Sequence, residues 1–154
     1  MTKLQWRDDG GFKMIDVSSK NKTLRTAQAS GKILMSEKTL DRARDKKAPK
    51  GDVFAVAKTA GILAAKKTPE AIVLCHPIAV SHCEISFALF KKGIKVTSLV
   101  KTFDRTGAEM EALSAVSAAL LNIYDMLKAI DKSMLISDIK LLRKTGGKSD
   151  DFKR

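Results

Sequence analysis

The sequence predicts an α+β fold in which helices cover one face of a mostly antiparallel sheet. Three observations predict it. Two stretches of alternating character, Ser81–Phe90 and Ile94–Phe103, flank Lys91-Lys92-Gly93 and form a hairpin. A long segment from about Ala108 to Ile130 carries apolar residues at helical spacing. The remaining periodic segments divide into a strand and two helices before the hairpin and a strand after the long helix.

Taken in order, residues 1–22 are polar, contain glycine and show no clean period, so an extended or mobile arm is expected. Leu24 to Met35 reads as a strand. Ser36 is a suitable N-cap for a short helix to about Lys46, and Ala48-Pro49-Lys50-Gly51 breaks it. Asp52 caps a second helix, Val53 to about Lys67, in which Val53, Val56, Ala60 and Leu63 recur at spacings of three and four as an apolar face. Its alanines and Gly61 let another backbone approach closely, and Thr68-Pro69-Glu70 ends it. Ala71 to Cys75 is a short apolar run stopped by His76-Pro77. In the hairpin, Cys83, Ile85, Phe87 and Leu89 point one way and His82, Glu84 and Ser86 the other, while Ile94, Val96 and Val100 share a face. Thr106 and Glu109 fit a capping box at the start of the long helix, and Asp131-Lys132-Ser133 closes it. Met134 to Leu142 is a final strand, and 145–154 is a polar tail. Strand, two helices, two antiparallel strands, long helix, strand is the split βαβ order of a ferredoxin-like fold with one extra N-terminal helix. At 154 residues the chain is expected to form a single domain, 1–154, with one core.

Hydrophobic residues make up 44% and charged residues 30%, a globular composition. Aromatic residues are only 5%, so Ala, Val, Ile and Leu must build the core. No apolar run reaches bilayer length, the start of the chain has no secretory apolar stretch, and two cysteines make no disulfide framework. A cytoplasmic protein with no membrane contact is expected. The net charge of +12 points to an anionic partner: nucleic acid, a phosphorylated small molecule or a membrane surface. The lysines are spread along the chain rather than gathered on one helix.

The long helix is the most informative element. Met110, Leu113, Val116, Leu120, Leu121, Ile123, Tyr124, Leu127 and Ile130 cover most of its circumference, which implies burial on more than one side. One narrow stripe is polar or small: Glu111, Ser114, Ala118, Asn122, Asp125 and Ala129, with Lys128 at its border. Composition alone favours a solvent edge with an ordinary Asp–Lys pair. The small residues favour instead a face against which something packs or binds. Glu111 and Asp125 are fourteen residues apart, roughly 21 Å along one helix. If both serve one small-molecule site, two copies of the helix must run antiparallel across a two-fold axis.

Three other segments carry chemistry. In Leu74-Cys75-His76-Pro77 the proline forces an extended backbone on His76. Cys75, His76, His82 and Cys83 offer metal-ligand types, but their spacing matches no standard zinc pattern. Lys50 stands beside the helix start at Asp52, where lysine and free N–H groups together favour an anion. Gly146-Gly147-Lys148-Ser149 is half of a phosphate loop, and Leu142 stands where the full pattern needs glycine.

These pieces together resemble the molybdenum cofactor biosynthesis protein C family, the cyclic pyranopterin monophosphate synthases. The matching stretches are Met14-Ile15-Asp16-Val17-Ser18, Lys22-Thr23-Leu24-Arg25-Thr26-Ala27, Lys50-Gly51-Asp52-Val53, Ala60 to Thr68, Leu74-Cys75-His76-Pro77, Arg105 to Leu113, Ile123-Tyr124-Asp125-Met126 with Lys128-Ala129, and Lys144 to Ser149. The resemblance implies a ferredoxin-like subunit in a homohexamer, a trimer of dimers with sites at the dimer interfaces. It implies a lyase that converts (8S)-3′,8-cyclo-7,8-dihydroguanosine 5′-triphosphate, made by an upstream radical enzyme that is a candidate for transient contact, into cyclic pyranopterin monophosphate and pyrophosphate. By residue-wise carry-over, Asp125, Lys128 and Lys50 are the catalytic candidates. Leu74, Cys75, His76, Met110 and Glu111 are the substrate-binding candidates, and Arg25, Lys66 and Lys144 the phosphate-binding ones. No cofactor or protein-held metal is implied, and any Mg2+ would arrive with the triphosphate. The chain departs from the family at Gln5-Trp6, Ala108 and Asp150, none of which is a proposed catalytic group. The rival reading is a non-catalytic basic α+β nucleic-acid-binding module. The absence of aromatics interleaved with Lys and Arg on a strand speaks against it.

Overall fold

The computed structural model describes residues 11–147 and 151–154. The first ten residues of the expected arm, with Gln5-Trp6, and Lys148-Ser149-Asp150 of the tail lie outside the described residues. Strand β1 (Thr23–Leu34) leads to helix α1 (Glu37–Arg44), helix α2 (Val53–Lys66) and a single turn, α3 (Thr68–Ala71). The hairpin β2 (Val80–Phe90) and β3 (Gly93–Asp104) follows, then helix α4 (Glu109–Leu127), β4 (Leu135–Thr145) and the two-residue β5 (Phe152–Lys153). The strand order is β2-β3-β1-β4-β5, and every ladder is antiparallel. Without β5 this is the order of a ferredoxin-like sheet, with α2 and α4 as the two crossover helices and α1 added.

Alternation along the strands selects the helix-covered face. Ala27, Ala29 and Ile33 of β1 and Ile94, Val96 and Val100 of β3 are all essentially buried, and the register pairs Ala27 with Val100 and Ile33 with Ile94. Ser98 shares that face and donates from its hydroxyl to the Ala112 carbonyl at 2.8 Å, so a buried polar group in β3 is satisfied by α4. Cys83 and Phe87 of β2 pack against the core, with Phe87 edge-on to Phe54 of α2 at 5.1 Å. His82 turns the other way, toward Glu84 on the open face.

Helix α2 departs from expectation. Its buried residues are Val53, Ala57, Gly61 and Ala65, whereas Val56 and Leu63 are 40% and 52% exposed. The reason is proximity to α4: a Cβ on Gly61 would lie 3.0 Å from the Ala115 carbonyl oxygen and 3.1 Å from Ile85. Only small residues fit that contact, so the larger apolar side chains turn outward. The start of α2 lies near the end of α4 and its middle near Ala115, so the two helices run antiparallel.

The ends of the helices show the other differences. Asp52 caps α2 by accepting from the Phe54 and Ala55 amides at 3.1 Å. The expected capping box on α4 does not form, because the residue at the cap is Ala108 and no side chain caps the helix. Thr106 is two residues too early, and Glu109 is engaged elsewhere. Asp131, just beyond α4, accepts from the Ser36 amide, the Thr39 hydroxyl and the Ser133 amide and hydroxyl. These donors, Ser133 foremost, hold its pKa down to about 2 and tie α1 to the end of α4. The last strand runs past its expected end at Leu142 to Thr145, and the polar tail contributes β5, with the Arg154 amide donating to the Leu142 carbonyl.

Gly61→Val should force α2 away from α4 and lower unfolding stability by about 1–3 kcal/mol, measured by chemical denaturation. A variant as stable as the parent would show that the helix contact is not close packed.

Candidate active site

The sequence-selected residues form two clusters, one at each end of α4. At the C-terminal end, Asp125 accepts from Lys50 Nζ on Oδ2 at 2.5 Å and from Lys128 Nζ on Oδ1 at 2.6 Å. Lys128 is delivered by the helix repeat, three residues on, as the C-cap. Lys50 is delivered by the turn before α2, where Gly51 adopts a φ of 100° that suits only glycine well. The anion found beside Lys50 is a protein carboxylate, that of Asp125. All three side chains are about half exposed. The hydrogen bonds from Lys128 and then Lys50 hold the Asp125 carboxyl down to about 2, and Asp125 in turn raises Lys128. The cluster is a carboxylate fixed in its charged form between two ammonium groups, with net positive charge facing water.

The other end is chemically opposite. Glu111 is 1% exposed, so this end of the stripe is packed and is not the solvent edge that composition alone favours. Its Oε1 accepts from the Cys75 thiol at 3.7 Å, and among the described residues its buried Oε2 has no hydrogen-bond partner. Burial pushes its pKa up. Burial first, and then the charge of Glu111, pushes the Cys75 thiol up to about 11. Cys75 is held there by a turn in which its amide donates to the Ile72 carbonyl at 2.8 Å. Lys144 of β4 makes an ion pair with Glu109 at 3.2 Å. Arg25 of β1 donates from Nε and Nη2 to the carbonyls of Asp104 and Arg105 at 2.9 and 3.0 Å, and Gly147 lies so close that a Cβ there would strike the guanidinium.

The other candidates are less tightly held. His76 follows Cys75 and lies near enough to Asp16 of the arm to favour that carboxylate's charged form, which the Ser18 hydroxyl stabilises most. Leu74 and Met110 are 42% and 36% exposed. Lys66 ends α2, and its charge reaches Cys83. Sequence reasoning assigned Glu109 to a cap and missed its partnership with Lys144. A Glu two residues before Glu111 in the first turn was the only local sign, and a partner thirty-five residues downstream has no signature in spacing. Among the described residues no group of three or more His, Cys, Asp or Glu side chains is placed to hold a metal ion, and no helix is long and apolar enough to cross a membrane.

The MoaC family model matches residues 14–147. Similar curated proteins include one from Clostridium acetobutylicum, 52% identical over 96% of this chain and 92% of its own length. Another, from Desulfitobacterium hafniense, is 51% identical over 96% and 91%. A third, from Streptomyces griseus, is 48% identical over 96% and 83%. All three are named cyclic pyranopterin monophosphate synthase.

With a pKa of about 11, only about one Cys75 thiol in ten thousand is a thiolate at pH 7. Alkylation of Cys75 by iodoacetamide, read by mass spectrometry, should be slow at pH 7 and rise about tenfold per pH unit until about pH 11. A rate that levels off near pH 8.5, as for a free thiol, would contradict the geometry.

Proposed function

The chain belongs to the MoaC family, and on that premise we propose that it is a cyclic pyranopterin monophosphate synthase of molybdenum cofactor biosynthesis. The observation that carries the reading is identity of about half with proteins of that name over 96% of the chain. The reaction is that of a phosphorus–oxygen lyase acting on (8S)-3′,8-cyclo-7,8-dihydroguanosine 5′-triphosphate. The purine-derived ring is rebuilt as a pterin. A substrate hydroxyl attacks the α-phosphorus, its proton passes to a base, the α–β phosphoanhydride bond breaks, and pyrophosphate leaves with the electron pair.

Both stages need positioned proton carriers and screening of phosphate charge. Asp125 stays ionised and orients Lys50 and Lys128, whose ammonium groups face the phosphates or give protons. Glu111, buried and raised in pKa, is suited to exchanging a proton with substrate. Leu74, Cys75, His76 and Met110 surround the ring. Arg25, Lys66 and Lys144 take the triphosphate, for which a guanidinium offers bidentate geometry. Mg2+ enters as the counter-ion of the triphosphate.

The two clusters are separated by fourteen residues of one helix, roughly 21 Å, too far for one substrate to bridge. The complete site is therefore proposed to form between two copies whose α4 helices run antiparallel across a two-fold axis near Ala118, midway between Glu111 and Asp125. Two features support this arrangement. Val56, Leu63 and Leu121 leave the outer face of α2 and α4 apolar and exposed, at 40%, 52% and 60%, and the half-buried Ala118 and Ser114 let a second helix approach. Three such dimers form the hexamer that the family resemblance implies.

Incubation with the cyclic dihydroguanosine triphosphate should release pyrophosphate. Asp125→Asn and Lys128→Ala should each lower the rate by about 10²–10⁴-fold without changing the sedimentation of the oligomer. No turnover by the parent chain would refute the activity. Mixing Glu111→Gln with Asp125→Asn chains after dissociation should rebuild intact sites in mixed dimers, to about a quarter of parental activity. Failure to regain activity, with mixed dimers demonstrated, would refute the shared site.

A further inference from the structure

Glu111 sits under an unusual constraint. The residue is 1% exposed, and among the described residues one carboxylate oxygen has a single weak side-chain donor and the other has no hydrogen-bond partner. A buried carboxylate oxygen without a donor is costly to keep charged. The donor on the first oxygen is a thiol, and that thiol has two acceptors at equal distance. Cys75 Sγ is 3.7 Å from Glu111 Oε1 and 3.7 Å from the His76 carbonyl oxygen. One proton cannot serve both. When Glu111 is ionised, its negative charge makes it the better acceptor. When Glu111 is protonated, the carbonyl competes.

We propose that Cys75 is a positioning residue for Glu111: its thiol swings between the His76 carbonyl and Glu111 Oε1, holds the carboxylate only while it is charged, and leaves Oε2 as the atom that exchanges a proton. The thiol acts as a donor throughout, not as a nucleophile, in keeping with its raised pKa. A thiol suits this task because S–H bonds are weak, so the carboxylate is steadied without being locked in one protonation state. The turn at Ile72–Cys75 and the proline after His76 hold Sγ in place. The proposal deepens the functional reading above, on which it rests only for the identity of the substrate.

Among the described residues the groups that act on Glu111 are few, and its own backbone amide favours its charged form. Glu109 on the same helix disfavours its charge and is itself paired with Lys144 of β4. Arg25 of β1 is engaged by the Asp104 and Arg105 carbonyls. β3 meets α4 through the neutral Ser98, and α2 meets it through Gly61, with Lys66 beyond, near Cys83. Cys75 is the group that favours the charged form of Glu111 from across the fold. Its removal should therefore raise the carboxyl's titration midpoint.

The test is an infrared titration of the full-length protein without substrate, following the neutral carboxyl band assigned to Glu111 by its loss in Glu111→Gln. Cys75→Ala should move the midpoint up by about half to one pH unit, and Cys75→Ser, which keeps a donor, should move it less. Equal midpoints in parent and Cys75→Ala would overturn the proposal. If Cys75→Ala does not fold, the S–H stretch of the parent protein decides. The Cys75 band should shift as Glu111 titrates while the Cys83 band stays, and a Cys75 band indifferent to pH through that range would refute the coupling. In turnover, where ionised Glu111 accepts a proton, the acid limb of the pH–rate profile should move up by the same amount in Cys75→Ala. A parent without pyrophosphate release would refute the functional reading while leaving the infrared result to stand or fall separately.

Discussion

The close approach of α2 to α4 governs much else in this molecule. Gly61 lies against the Ala115 carbonyl with no room for even a Cβ at ordinary distance. Small residues must therefore line the contact, and Ala57, Gly61 and Ala65 do so. Two consequences follow from this one steric fact. The antiparallel alignment brings the turn before α2 beside the end of α4, where Lys50 meets Asp125. It also turns Val56 and Leu63 outward, leaving apolar surface where an isolated subunit would be better served by charge.

The same helix carries two contrasting electrostatic environments. Around Asp125, water and two ammonium groups keep a carboxylate charged far below its usual range. Around Glu111, burial works in the other direction, opposed by its own backbone amide and by a weak thiol donor. A pair of carboxyl groups whose surroundings push their proton affinities apart is what acid–base chemistry at neutral pH requires. Here the separation comes from depth in the fold, because both residues are plain carboxylates on one continuous helix.

Much of the architecture was legible from local pattern. Alternation identified the hairpin and the buried faces of β3, and helical spacing identified α4 to within three residues at its C-terminal end. Asp125 and Lys128 were legible as neighbours because three residues make nearly one helical turn. Less legible were features set by distant neighbours. The face of α2 was misjudged because hydrophobicity ranks Val and Leu above Ala and Gly, while the packing distance ranked them the other way. Glu109 looked like a cap because Thr106 stood three residues before it, yet the helix begins at a position that Thr106 cannot reach. The strand in the polar tail was not legible because a two-residue strand has no period to detect.

By itself the sequence determined the order of the longer elements, the basic net charge, and the family to which the motifs point, since each depends on residues near one another in the chain or on composition. Only the tertiary structure decided that Glu111 is buried rather than solvated, that Cys75 reaches it across thirty-six residues, and that Lys50 closes on Asp125 across seventy-five. Burial and long-range pairing are properties of how surfaces meet, and no spacing within one segment encodes how deep that segment will lie.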